Sequence, residues 1–423
     1  MKDITLGDIM HVYGSFGLQM DYTVRLCLRM VDAVDGDILR AAVENTQKRY
    51  PYLSVRMRND GQKLWYEEND APVALLHTAE RISLNAPETN YHVWAVCWWE
   101  DFIYFDVYHG IADGAGIYMV LSTLLYYYCH GRYGVTDHSG VRTLDDPILP
   151  EESADPLEHL PQIDLSKLPA PAMPEVFSLT GDGGIAVGEQ ELWDIAVAED
   201  AFLRFTSAND ASPGTMVSLL LARAVDKLYP ERQKDIHSSY VMNARPMLGA
   251  PLTHHNCVSS VMLHYDDRIR AMPFDRQCTV YRGITFVQSE AERVAGVMAA
   301  LANRKRAVMQ MAPTAEVKEQ AFAKMLAGGR GRYTFIVSYV GQWKFPALGG
   351  YIREFWTHVP QANDLVVEIA AVNGRIFLTI HQCLGDDRVV REFLDELERE
   401  GIPYEVCKRV RNDVARFPQP SRS

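Results

Sequence analysis

The chain has 423 residues, 48% of them hydrophobic and 23% charged, with a formal net charge of −13. That length exceeds one typical core and points to two domains, while the acidic balance argues against a general affinity for nucleic acid or anionic membrane. Cys27, Cys97, Cys129, Cys257, Cys278, Cys383 and Cys407 are scattered and form no C-x-x-C, which speaks against a disulfide framework or a structural zinc site and for a reducing compartment.

MKDITLGDIMHVYG at the N-terminus has no apolar signal core. No uninterrupted apolar run approaches the ~20 residues needed to span a bilayer. A cytoplasmic protein without a membrane span is expected. Residues 22–30 (YTVRLCLRM) alternate Val24, Leu26, Leu28 and Met30 on one face, the pattern of a half-buried strand. Asp35 or Asp37 caps the next predicted helix, whose apolar face carries Leu39, Ala42, Val43 and Tyr50, and Pro51 ends it. LSVRM and KLWYEE read as a hairpin around Asp60-Gly61. Two further strands follow, HVWAVCWW (92–99) and FIYFDVYH (102–109), joined by Glu100-Asp101. In the second, Ile103, Phe105, Val107 and His109 share the more apolar face, opposite Tyr104, Asp106 and Tyr108.

After this strand comes HGIADGAG, and then Ile117, Val120, Leu121, Leu124, Leu125 and Tyr128 trace a helical stripe. The motif is therefore a strand–loop–helix corner. Prolines 147, 150, 156, 161, 169, 171 and 174, with GDGG at 181–184, mark a crossover linker. The expected domains are 1–140, a linker over 141–188, and 189–423. The second half opens with the strand ELWDIAV. A helix then starts at Ser212-Pro213 with Val217, Leu220, Leu221, Ala224, Val225 and Leu228 inward. SSYVMNAR and NCVSSVMLHY read as strands, about 274–326 as a long helical region, and TFIVSYVG, YIREFWTHV, DLVVEIAAV and RIFLTIHQ as strands. Asn373-Gly374 turns between the last two, and a final helix covers 386–400. The mixture of strands and helices in each half gives an α/β (α+β) fold class.

At the corner, Asp113 reads as the N-cap of the following helix and His109 as a polar residue closing a strand. A metal reading lacks ligands, because only these two residues are in reach and their neighbours are glycines; the His254-His255 pair has no matching partner. The catalytic reading rests on the titration of imidazole near neutrality, which lets His109 take a proton from an alcohol or amine. Gly110, Gly114 and Gly116 allow close approach of a substrate. The segment holds no serine or cysteine to act as a covalent nucleophile.

His109 to Gly114, H-G-I-A-D-G, matches the H-x-x-x-D-G motif of the CoA-dependent acyltransferase superfamily, which takes in chloramphenicol acetyltransferase, alcohol acetyltransferases and nonribosomal peptide condensation domains. VDGDILRAAVENTQKRYPYLSVRM, SPGTMVSLLLARAVDKL with YVMNARPML, and FIVSYVG resemble further stretches of that family in the same order along nearly the whole chain. The resemblance implies two chloramphenicol acetyltransferase-like halves, each a mixed sheet with helices, and a tunnel between them. His109 would be the base, and Asp113 a structural brace paired with Arg245. Gly114 would line the tunnel, and Ser338 would help stabilise an oxyanion.

Condensation domains show H-H-x-x-x-D-G. Tyr108 stands at the first histidine, which tilts the reading toward free acyl-CoA as co-substrate, with no tightly bound cofactor and no metal. The implied activity is acyl transfer to a small-molecule alcohol or amine. The alternatives are a carrier-protein thioester donor and a non-catalytic binding member of the same fold. Arg304 and Lys305 in RKR, and Arg330 in GGRGR, are the candidates for the CoA phosphates; the other reading of these segments is a solvated helix face and a loop. No G-K-[ST] follows the glycines, so neither is a phosphate loop. Tyr126, Tyr127 and Tyr128, and Trp94, Trp98 and Trp99, read as packing residues.

Overall fold

A computed structural model describes residues 2–164, 166, 175–327, 331–360 and 363–411. Its strands form three sheets. The five-stranded sheet runs, edge to edge, Ile352–His358, Thr23–Met30, Phe102–Tyr108, Trp94–Trp99 and Leu75–His77. The seven-stranded sheet runs Val258–Tyr265, Ile236–Asn243, Phe335–Gln342, Leu365–Val372, Arg375–Leu384, Val187–Ala198 and Tyr404–Arg411. Lys2–Asp3, Leu64–Glu68 and Val55–Asn59 make a small third sheet. Phe335–Gln342 is parallel to both of its neighbours, so this sheet is mixed and the architecture is mixed α/β.

Local sequence explains several element ends. The Asp35 carboxylate accepts the amides of Asp37 and Ile38 and starts the helix Gly36–Arg49. Ser212 and Thr215 form a reciprocal capping box, with Pro213 in the first turn, at the head of Pro213–Leu228. Asn373 and Gly374 both take positive φ (50° and 75°), the requirement of the two-residue turn that joins Val372 to Arg375. The helix Gly114–Tyr133 ends on Gly134 at φ 72°.

Three features depart from the sequence reading. The helical region at 274–326 is three helices, Phe274–Gln288, Ala291–Met311 and Ala315–Ala327. An N-terminal helix, Ile9–Leu18, packs on the last of them. The strand Ile352–His358, far along the second half, leaves its neighbours in sequence and pairs antiparallel with Thr23–Met30 in the first-half sheet. The core of the first sheet accordingly includes Trp343, Phe345, Ile352, Phe355 and Trp356 from the second half. A second core fills the seven-stranded sheet and its helices, with Val217, Leu220 and Leu221 among its members. All seven cysteines are free thiols, six of them buried. Among the described residues no helix is long and apolar enough to cross a membrane.

Candidate active site

Between the two sheets lies a cavity of about 320 Å³. Val24, Val107 and His109 line it from the first sheet, and Ser239, Val241, Ser338 and Glu368 from the second. His109 follows the last residue of the strand Phe102–Tyr108, and its backbone is fixed from both halves. Its amide donates to the Tyr22 carbonyl (2.8 Å), and its carbonyl accepts from the Asn256 side-chain amide (3.0 Å). Asn256 in turn donates to the buried Asp8 carboxylate (2.8 Å).

The imidazole Nδ1 lies 3.1 Å from the Ala112 carbonyl. A carbonyl only accepts, so this contact assigns the ring proton to Nδ1 and leaves the lone pair on Nε2. The rings of His11 and Tyr22 stack near-parallel against that of His109, with centroids 5.2 and 5.1 Å away. His11 Nδ1 is also 3.0 Å from the Tyr22 hydroxyl. Burial, and then the neighbouring His109 and Lys305, hold His11 well below the usual histidine range, so it sits there as a neutral ring.

Asp113 does two jobs at once. As N-cap it accepts the Gly116 amide at 3.0 Å. It also meets Arg245, which donates two hydrogen bonds to it at 2.7 and 3.0 Å, and accepts the Cys257 amide at 2.8 Å. Both partners of this pair are buried. The remaining guanidinium hydrogens go to the Thr253 and His255 carbonyls, among others. The loop containing His254 and His255 therefore wraps the arginine. Burial would lower the Arg245 pKa, and the Asp113 carboxylate outweighs it and raises it. His255 is itself paired with Asp8, which raises it to about 9 against the opposing effect of burial.

The glycines of the corner separate by task. A Cβ on Gly114 would come within 2.7 Å of Val340 Cγ2, and Gly114 lines the cavity. Gly116 instead makes room for the His254 carbonyl, which an added Cβ would meet at 2.2 Å, and Gly110 for the Tyr108 ring. Tyr108 is fully buried on the opposite face of its strand, where its hydroxyl meets Ser15 of the N-terminal helix at 2.7 Å. It does not line the cavity.

The basic residues expected at the CoA phosphates part company. Lys305 is buried, and its ammonium donates to the Leu6 and Gly7 carbonyls at 2.7 and 3.1 Å. Burial lowers it to about 8, despite the attraction of Asp155 and Asp8. That lysine ties the N-terminal segment down rather than meeting solvent. Arg304, one residue before it on the same helix, is exposed, and Arg330 lies outside the described residues. Tyr22, His11, Asn256 and Glu368 escaped the sequence reading. The juxtaposition of HHN (254–256) with the His109 corner is made only by tertiary structure.

No protein-family model matches the chain, and no curated protein matches it in sequence. Solved structures match its shape over almost its whole length. The condensation domain of the monacolin K polyketide synthase MokA aligns with a TM-score of 0.62 and 12% identity, over 94% of this chain and 96% of that one. Polyketide synthase associated protein 5 from Mycobacterium tuberculosis gives 0.59 and 12%, over 94% and 97%. F. graminearum TRI101, solved with coenzyme A and T-2 mycotoxin, gives 0.59 and 10%, over 94% and 98%. The fold is that of the CoA-dependent acyltransferases and condensation domains. Identities this low establish the fold alone. The chloramphenicol acetyltransferase-like architecture of two subdomains, with sheets and helices in each, describes this chain.

Proposed function

We propose that the protein transfers an acyl group from a CoA thioester to a small alcohol or amine, by direct attack within the cavity between the sheets. The observation that carries this reading is the His109 imidazole in the cavity wall, with Nδ1 held by the Ala112 carbonyl, which in the neutral ring leaves the Nε2 lone pair to accept a proton. Nε2 takes the proton from the acceptor O–H or N–H as that atom bonds to the thioester carbonyl carbon. The tetrahedral intermediate then collapses, the C–S bond breaks, and the CoA thiolate leaves and regains the proton from His109, so the enzyme returns to its starting state. The Ser338 hydroxyl is the side-chain donor we assign to the intermediate's oxyanion.

Asp113 and Arg245 act through the loop, holding the strand end and helix start in register so that His109 stays aimed. Gly114 keeps the passage past Val340 open. The test is release of free CoA thiol over a panel of acyl-CoA donors and alcohol or amine acceptors, with acylated carrier proteins as a separate donor arm. His109→Ala is expected to lower turnover by ~10²–10⁴. Equal turnover by wild type and variant would remove His109 from the mechanism. Transfer from carrier protein but not from CoA would reassign the donor.

A further inference from the structure

One row of side chains crosses the second sheet beneath the cavity. Strand registry sets Val241, Ser338, Glu368, Thr379 and Asp194 side by side, on one face. Two of the five are acids, and the fold treats them differently. Asp194 accepts from Thr379 at 3.0 Å and has its own cation, His358, at 3.1 Å. Burial would lower that histidine, but Cys27 and Asp194 raise it to about 9. Glu368 has no such partner: among the described residues no lysine, arginine or histidine pairs with it, and its polar neighbour is Ser338. The residue is 9% exposed and lines the cavity. Asp113, the other carboxylate of the cavity wall, is neutralised by Arg245.

A carboxyl buried without a cation is costly to keep ionised, and burial pushes Glu368 up to about 8. A cation arriving in the cavity would recover that cost. Taking the acyltransferase reading above as the premise, the donor substrate carries phosphates and is anionic, so the positive group belongs to the acceptor. We infer that Glu368 selects the acceptor, and that the acceptor carries an alkylammonium group, distinct from the O–H or N–H that attacks, which pairs with this carboxylate.

The test reads binding and not turnover. Calorimetry at pH 7.5 measures n-hexylammonium and its neutral isostere 1-hexanol against the full chain, against Glu368→Gln, and against Glu368→Met. The second variant replaces the carboxyl by an apolar side chain of similar length, in case the first does not fold. The expected result is at least roughly tenfold tighter binding of hexylammonium than of hexanol by the wild type, a preference of ~1.4 kcal/mol. Either variant should abolish the preference while holding hexanol within about twofold. Equal affinities in the wild type, a preference that survives in the variants, or no binding of either probe would each overturn the assignment. No acyl donor is present, so failure of the acyl-transfer assay and failure of this assignment are separately visible.

Discussion

Replacing Asp113 by alanine removes four contacts at once. These are two hydrogen bonds from Arg245, the Cys257 amide, and the cap on Gly116. The guanidinium stays behind, 4% exposed, with carbonyl partners but no counter-charge. Breaking a buried pair by deleting one member costs ~3–5 kcal/mol, and the lost cap belongs to the same group and adds at most ~1 kcal/mol. An unfolding entropy of roughly 2.1 cal/mol/K per residue over the 423 residues is about 0.9 kcal/mol/K. A loss of ~4 kcal/mol then lowers Tm by ~4–5 °C if the chain melts as one unit. Differential scanning calorimetry reads the shift, and the CoA-release assay reads activity on the same preparation. Adding Arg245→Met should restore part of the loss, because the stranded charge is gone, and the double-mutant cycle should show a coupling of at least ~1 kcal/mol. An Asp113→Ala protein that melts like wild type yet has no activity would refute the bracing role and put the carboxylate into the chemistry.

Gly114→Ala is expected to lower turnover, since its Cβ would press on Val340, and Val340→Ala in the same chain should relieve it; a steady-state comparison of the single and double variants decides. Lys305→Met should destabilise the protein by ~1–3 kcal/mol in urea melts through the orphaned Leu6 and Gly7 carbonyls, and leave the KM for acyl-CoA unchanged. For Glu368, whose folded pKa of about 8 lies above an unfolded value of ~4.3, ionisation opposes folding. Wild-type stability relative to Glu368→Gln is therefore expected to be highest below pH ~4.3 and to fall steadily until the pH passes about 8, as paired urea melts across that window will register. His11→Phe keeps a ring against His109 and replaces a side chain that burial already holds neutral, so it should retain the fold and leave the acidic limb of the kcat/KM profile in place; a displaced limb would show that His11 carries charge at the site.

The readable parts of this chain were those governed by neighbours in sequence. Alternation found the strand that carries His109, the Ser212-Pro213 cap marked a helix head, and Asn373-Gly374 marked a hairpin. The helix Ile9–Leu18, which brings His11 to the site, contains Gly14 and Gly17, residues of low helix propensity. Here glycine is a packing device: a Cβ on Gly17 would lie 2.3 Å from the Glu319 carbonyl oxygen of the helix Ala315–Ala327. Glu368 sits in LVVEIAAV, a strand buried on both faces, so no alternation signalled which way it pointed. Lys305 lies in a basic triplet that reads as solvated, and only the fold shows it inside. Asn256 reaches the His109 carbonyl from 147 positions away in sequence, a contact that no local pattern encodes.

The strand Ile352–His358 makes the chain a clasp. A fragment confined to the first half would carry the Thr23–Met30 strand with one whole row of amides and carbonyls bare, an open template for strand addition. The first-half core would also lose Phe355 and Trp356. Excising that half should thus give an aggregating polypeptide, and supplying the two halves as separate chains should rescue it only when the second includes this strand. Closing the sheet requires residues more than 320 positions apart to meet, so its final pairing awaits synthesis of most of the chain. The wall of the cavity that holds His109 is in this sense finished late, by a segment borrowed from the opposite side.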